Sequence, residues 1–202
     1  MDKRFIFVGY QLRECSDDHW LATLADNINP LFLPQDKRLR SDFERILASF
    51  EFPFFIQRQK DLLSLCNIAQ SDTITKGRRV TAFRCALLRE HIHDAEYEYY
   101  NDQGKIAYAP YNQALNIEEP AIETKLAGID VLDASGVGEF TSAIHTYNMI
   151  EASYLNKNGL LDDLDKAKAL KELADEDMSG HGPFTVWEIS VVQGILDPKT
   201  LW

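Results

Sequence analysis

The sequence predicts an α+β fold, a mixed or antiparallel sheet with packed helices. Three observations carry that expectation. Residues 96–110 read as a strand, a turn and a returning strand. Thr185 to Val192 alternates cleanly, with Trp187, Ile189 and Val191 on one face. Between and around these strands, apolar residues recur at three- and four-residue steps, the helical period.

In chain order, Phe5 to Tyr10 is apolar on both faces and reads as a buried strand. Ser16-Asp17-Asp18 opens a helix that Asn29-Pro30 ends. Ser41 and Glu44 have capping-box spacing ahead of Ile46, Leu47 and Phe50. Phe52 to Ile56 reads as a strand and Lys60 to Ala69 as a helix, with Leu62, Leu63, Leu65, Cys66 and Ile68 mostly inward. This alternation suggests a small α/β layer at the N-terminus. Arg78 to Glu90 fits either period and is assigned as a strand, in an antiparallel meander with the hairpin. Ala121 to Leu132 is a further strand. Phe140, Ile144, Tyr147, Ile150 and Tyr154 give the strongest helical stripe in the chain, stopped by Asn158-Gly159. A last helix spans Asp163 to Asp177, with Leu164, Ala167, Leu170 and Leu173 inward. No repeat or linker breaks the chain, so one domain is expected over 1–202, with 1–111 and 112–202 as its sub-lobes if it divides.

Charge separates those two parts. Residues 1–111 hold 15 Lys and Arg against 16 Asp and Glu; residues 112–202 hold 6 against 16, so the net charges are -1 and -10, the total of -11. An acidic half disfavours phosphate contacts and suits a basic protein partner. The longest apolar runs are too short for a membrane span, and the N-terminus lacks a signal-peptide cleavage pattern. Cys15, Cys66 and Cys85 are isolated and odd in number, which suits reduced thiols in the cytoplasm.

Four groups of residues could carry chemistry. His91, His93, Asp94 and Glu96 form the densest ligand-like cluster, and on a strand His91 and His93 would share a face; a divalent metal is the cofactor they would take. Glu123 and Lys125 match the acidic-x-Lys half of a metal-dependent nuclease, with Asp102 as an upstream carboxylate. Cys15 and His19 lie four apart near a helix start. Lys76, Arg78, Arg79, Arg84 and Arg89 form a basic cluster that could meet phosphate or an acidic partner, and is read first as a solvated strand face. Ser135-Gly-Val-Gly138 reads as a turn, and the oxygen-rich Asn156 to Asp165 as helix capping. Five tyrosines, Tyr97, Tyr99, Tyr100, Tyr108 and Tyr111, mark the hairpin. Cross-strand packing accounts for them, and a recognition surface is their functional reading.

Phe7-Val-Gly-Tyr10, Trp20-Leu-Ala-Thr-Leu24 and Ile28-Asn-Pro-Leu31 resemble the opening of bacterial TIR domains, and the Val-Gly-Tyr run is similar to a strand end in sirtuin-like defence domains. The resemblance covers Phe5 to Leu31 and would imply NAD cleavage by a glutamate. Ser64-Leu-Cys66-Asn-Ile-Ala69 offers no such glutamate, and the chain is not assigned to either family.

No group assembles nucleophile, base and orienter. The expected role is therefore a cytoplasmic protein-interaction module, such as an inhibitor, adaptor or complex subunit, with no cofactor. The alternatives are a metal-dependent hydrolase or nuclease at the groups above, or an NAD- or nucleotide-processing domain.

Overall fold

The computed structural model describes residues 4–15, 34–47, 55–76, 79–100, 103, 105–133, 141–144, 147–178 and 183–194. The elements are β1 (Phe5–Cys15), α1 (Lys37–Leu47), α2 (Gln59–Lys76), β2 (Arg79–Leu88), β3 (Glu96–Tyr100), β4 (Ile106–Pro110), β5 (Thr124–Asp133), β6 (Thr141–Ser142), α3 (Leu164–Asp177) and β7 (Phe184–Val192), with short 3₁₀ turns at Arg89–His91, Tyr111–Asn116 and Ala152–Tyr154. Helices pack on an antiparallel sheet, so the fold is α+β.

The main sheet runs β1-β2-β7-β5-β6, and all its pairings are antiparallel. Strands from the two halves of the chain, β2 and β7, meet at its centre, where Phe83 lies opposite Val191 and Leu87 opposite Trp187. Alternate residues serve different faces. Phe83, Cys85 and Leu87 join Trp187 and Ile189 in one cluster, covered by Phe55, Ile92, Tyr111 and Leu160. On the other face, Phe7, Tyr10, Leu12 and Ala82 meet Phe43 of α1 and Leu62, Leu65 and Cys66 of α2. Beside them, Ala86, Val131 and Val186 meet Ala167, Leu170 and Ala174 of α3. The described helices therefore lie against one face.

Two glycines permit close approaches at bulges. A Cβ on Gly9 would lie 2.7 Å from that of Phe55. Gly128 has φ of +150°, and a Cβ there would lie 2.6 Å from that of Leu160.

Several expectations are corrected. The first strand continues past Tyr10 to Cys15 and pairs antiparallel with β2, so among the described residues no parallel strand pair builds an α/β layer there. α1 begins near Asp36, whose Oδ1 accepts from the Arg38 and Leu39 N–H groups (2.8 and 3.2 Å), leaving Ser41 inside the helix. α2 runs on to Lys76, and Leu63 points outward at 40% exposure. Arg78 to Glu90 does contain a strand, but the hairpin forms a separate two-stranded sheet and extends no meander. In α3, Ala174 is buried and Leu173 exposed. The stripe from Ile144 to Tyr154 is not a helix. Ser142 belongs to β6, Asn148 has φ of 51°, and Ala152–Tyr154 is a 3₁₀ turn. Ile144, Tyr147 and Ile150 still reach the core, from an irregular segment. The helix expected over residues 16–29 lies outside the described residues.

Candidate functional site

The hairpin is the element that the main sheet does not absorb. Its register pairs Glu96 with Pro110, Tyr97 with Ala109, Glu98 with Tyr108, Tyr99 with Ala107 and Tyr100 with Ile106. Pro110 opposes Glu96 in a pair that exchanges no N–H bonds, so its missing donor costs the ladder nothing. Among the described elements, β3 and β4 pack appreciably only against each other. The base, by contrast, is fixed. The Ala95 N–H donates to the His91 carbonyl (2.9 Å), and the Tyr111 N–H donates to the Ala95 carbonyl (3.1 Å). Ala95 and Tyr111 are both buried. The Tyr111 ring stands edge-on to Trp187, 5.6 Å between centroids, and Trp187 stacks on Phe55 at 5.7 Å. Tyr111 is thus a core anchor and not part of a recognition surface. The side chains of Tyr97, Tyr99, Tyr100 and Tyr108 lie outside what the structure describes.

His91 and His93 do not share a face. The chain coils through Arg89–His91 and then turns, so His91 is buried while His93, Asp94 and Glu96 are exposed. His91 Nδ1 accepts the Val186 N–H at 3.1 Å. That bond fixes the neutral tautomer with its proton on Nε2 and occupies the nitrogen a metal would need. Burial holds the His91 pKa below its ordinary value; Lys171 and Lys168 act in the same direction, and Glu90 and Asp94 oppose them. Among the described residues, no three His, Cys, Asp or Glu are placed to hold a metal ion.

Glu123 and Lys125 sit exposed at the start of β5. Opposite them β7 offers Val192, Val191 and Ser190, and so no second carboxylate. Asp102 lies outside the described residues, as do His19 and the segment Ser135–Gly138. Asn156 to Asp165 forms a turn and a cap. Asn156 Oδ1 accepts from the Asn158 and Leu160 N–H groups, and Asp163 caps α3 by accepting from Asp165 and Lys166.

Two buried arginines were not legible as sites. Arg84 belongs to no solvated face: its side chain is 4% exposed and clasped by two carboxylates. Its Nε and Nη2 reach the two oxygens of Glu119, the latter at 3.0 Å, and its Nη1 reaches Glu188 at 2.7 Å. Burial pulls the guanidinium pKa down, but the hydrogen bonds and charges of Glu119 and Glu188 outweigh it, and the net direction is up. The clasp ties the segment entering β5 across the sheet, where the Tyr10 hydroxyl also reaches the Pro120 carbonyl at 3.5 Å. Arg13, on the other face, donates from Nε and Nη2 to Gln11 Oε1 at 3.1 and 2.7 Å. Burial takes its pKa down to about 10, against the pull of Cys85 and Asp130. Gln11, Arg13, Cys85, Asp130 and Trp187 border a cavity of only about 10 Å³, the size of one water and too small for a substrate. Burial pushes the thiols of Cys66 and Cys85 up to about 12, so neither is an activated nucleophile.

Comparison with protein-family models finds no match, and neither do comparisons with curated proteins and with solved structures. No helix among the described residues is long and apolar enough to cross a membrane.

Proposed function

We propose that this chain is a protein-interaction module whose contact element is the hairpin of β3 and β4. The observation that carries this reading is the hairpin's isolation: two strands held at their base, with no other described element packed appreciably along them. Two strands alone are marginally stable. Strand edges without a ladder partner present N–H and C=O groups to which an extended segment of another protein can add. The tyrosine content of 97–108 suits such a contact, since tyrosine offers area and a polar tip at little entropic cost.

The acidic half gives the partner a sign. Asp162, Asp163, Asp165, Glu172, Glu176 and Asp177 are exposed along and just before α3, and a basic partner would be drawn to them at long range. The test is photo-cross-linking in the producing cell, with the reactive group at Glu98 on the hairpin or at Glu172 on α3. The proposal expects one protein joined at Glu98 and lost when Ala107→Pro breaks the ladder. Unchanged capture by the folded Ala107→Pro chain would reject the hairpin as the contact element.

A further inference from the structure

We infer that His91 makes the hairpin base proton-sensitive: taking up a proton breaks its bond to Val186 and loosens the base of β3 and β4 from the end of β7. This inference goes beyond the docking role and does not depend on it.

The geometry is specific. A buried imidazole accepts a backbone N–H at Nδ1, 3.1 Å from the Val186 nitrogen. Protonated imidazole has no acceptor, so imidazolium would set N–H against N–H at that contact. The same residue's carbonyl accepts the N–H groups of Asp94 and Ala95, at 3.0 and 2.9 Å, and the Ala95 carbonyl accepts that of Tyr111. The bond to Val186 and the turn that enters the hairpin therefore meet at His91, and the far end of the hairpin is tied to that turn through Ala95.

The surrounding charges do not offset the proton. Glu90 Oε1 is 3.9 Å from His91 Nε2, but it is exposed and engaged at 2.8 Å by Lys168 Nζ. Lys171, from α3, adds positive charge and is itself paired with Asp175; Asp94 is exposed in the adjoining turn. These are the charged groups that bear on His91 among the described residues.

The direction in pH follows. The unfolded or opened chain takes up the proton near the ordinary value of 6.5, and the closed chain only at lower pH. The His91 contribution is present above 6.5 and is lost as pH falls from there through the closed-state value. Protection of the Val186 and Ala95 amides, corrected for intrinsic exchange, should drop about tenfold for each pH unit below 6.5 until the closed state itself is protonated.

The experiment is amide exchange by NMR from pH 7.5 down to pH 5, with the ¹⁵N shifts of the His91 ring read in the same samples. The native chain should show the Nε2-H tautomer at neutral pH and the graded loss of protection. His91→Asn, whose Oδ1 can accept the Val186 N–H without titrating, should show no such grading. A neutral ring protonated on Nδ1 would overturn the inference without any variant. So would equal pH dependence in the native chain and His91→Asn. Neither result would bear on whether the hairpin docks a partner.

Discussion

The five-stranded sheet and the two-stranded hairpin are both antiparallel, yet they are supported in different ways. The sheet is covered on both faces, by Phe55, Tyr111 and Leu160 on one side and by α1, α2 and α3 on the other. The hairpin is secured at Ala95 and Tyr111 and by its own ladder. Strand pairing alone stabilises little; burial against a second layer decides which strands form the stable core. The hairpin is therefore expected to open at a lower free energy than the sheet.

The largest effects should fall on the sheet. Arg84→Met would leave Glu119 and Glu188 half-buried without their cation, and removing one partner of such a set costs ~3–5 kcal/mol. Chemical denaturation would show it as a lower midpoint at unchanged slope. Trp187→Ala removes the ring on which Phe55 and Tyr111 rest and should cost ~3–5 kcal/mol by the same measurement. Gly128→Ala combines a conformation that L residues avoid with a contact to Leu160, and a loss of ~1–3 kcal/mol is expected. Asp163→Ala removes the α3 cap for about 1 kcal/mol. The smallest effect belongs to the hairpin: Ala107→Pro should change global stability by no more than ~1 kcal/mol while abolishing the local ladder. A loss as large as that of Trp187→Ala would show that hairpin and sheet unfold as one.

β7 and the hairpin were legible because period two survives in the sequence, whereas residues 79–88 fit the helical period as well and only the folded sheet shows them as a strand. α3 was legible through its cap and stripe. The region 141–154 was misread because apolar spacing reports burial, and an irregular segment can bury the same residues. Ser142 there donates to buried Asp130 at 2.7 Å and accepts from the Ile144 N–H, bonds that hold the chain in a turn. The Arg84 clasp was illegible for a different reason. Glu119 is 35 residues away and Glu188 is 104, so only the folded sheet brings them together. The one local hint was a cation amid the apolar run from Val80 to Leu88. His91 and His93 misled because their i,i+2 spacing shares a face only on a strand, and the chain turns there.

The separation of hairpin from sheet is tested most directly by native-state amide exchange in low denaturant. Ladder amides of Tyr99 and Ala107 should open at a lower free energy than those of Phe83 and Ile189, and with little dependence on denaturant, the mark of a local opening. A single opening free energy shared by all four, with the denaturant slope of global unfolding, would contradict the account.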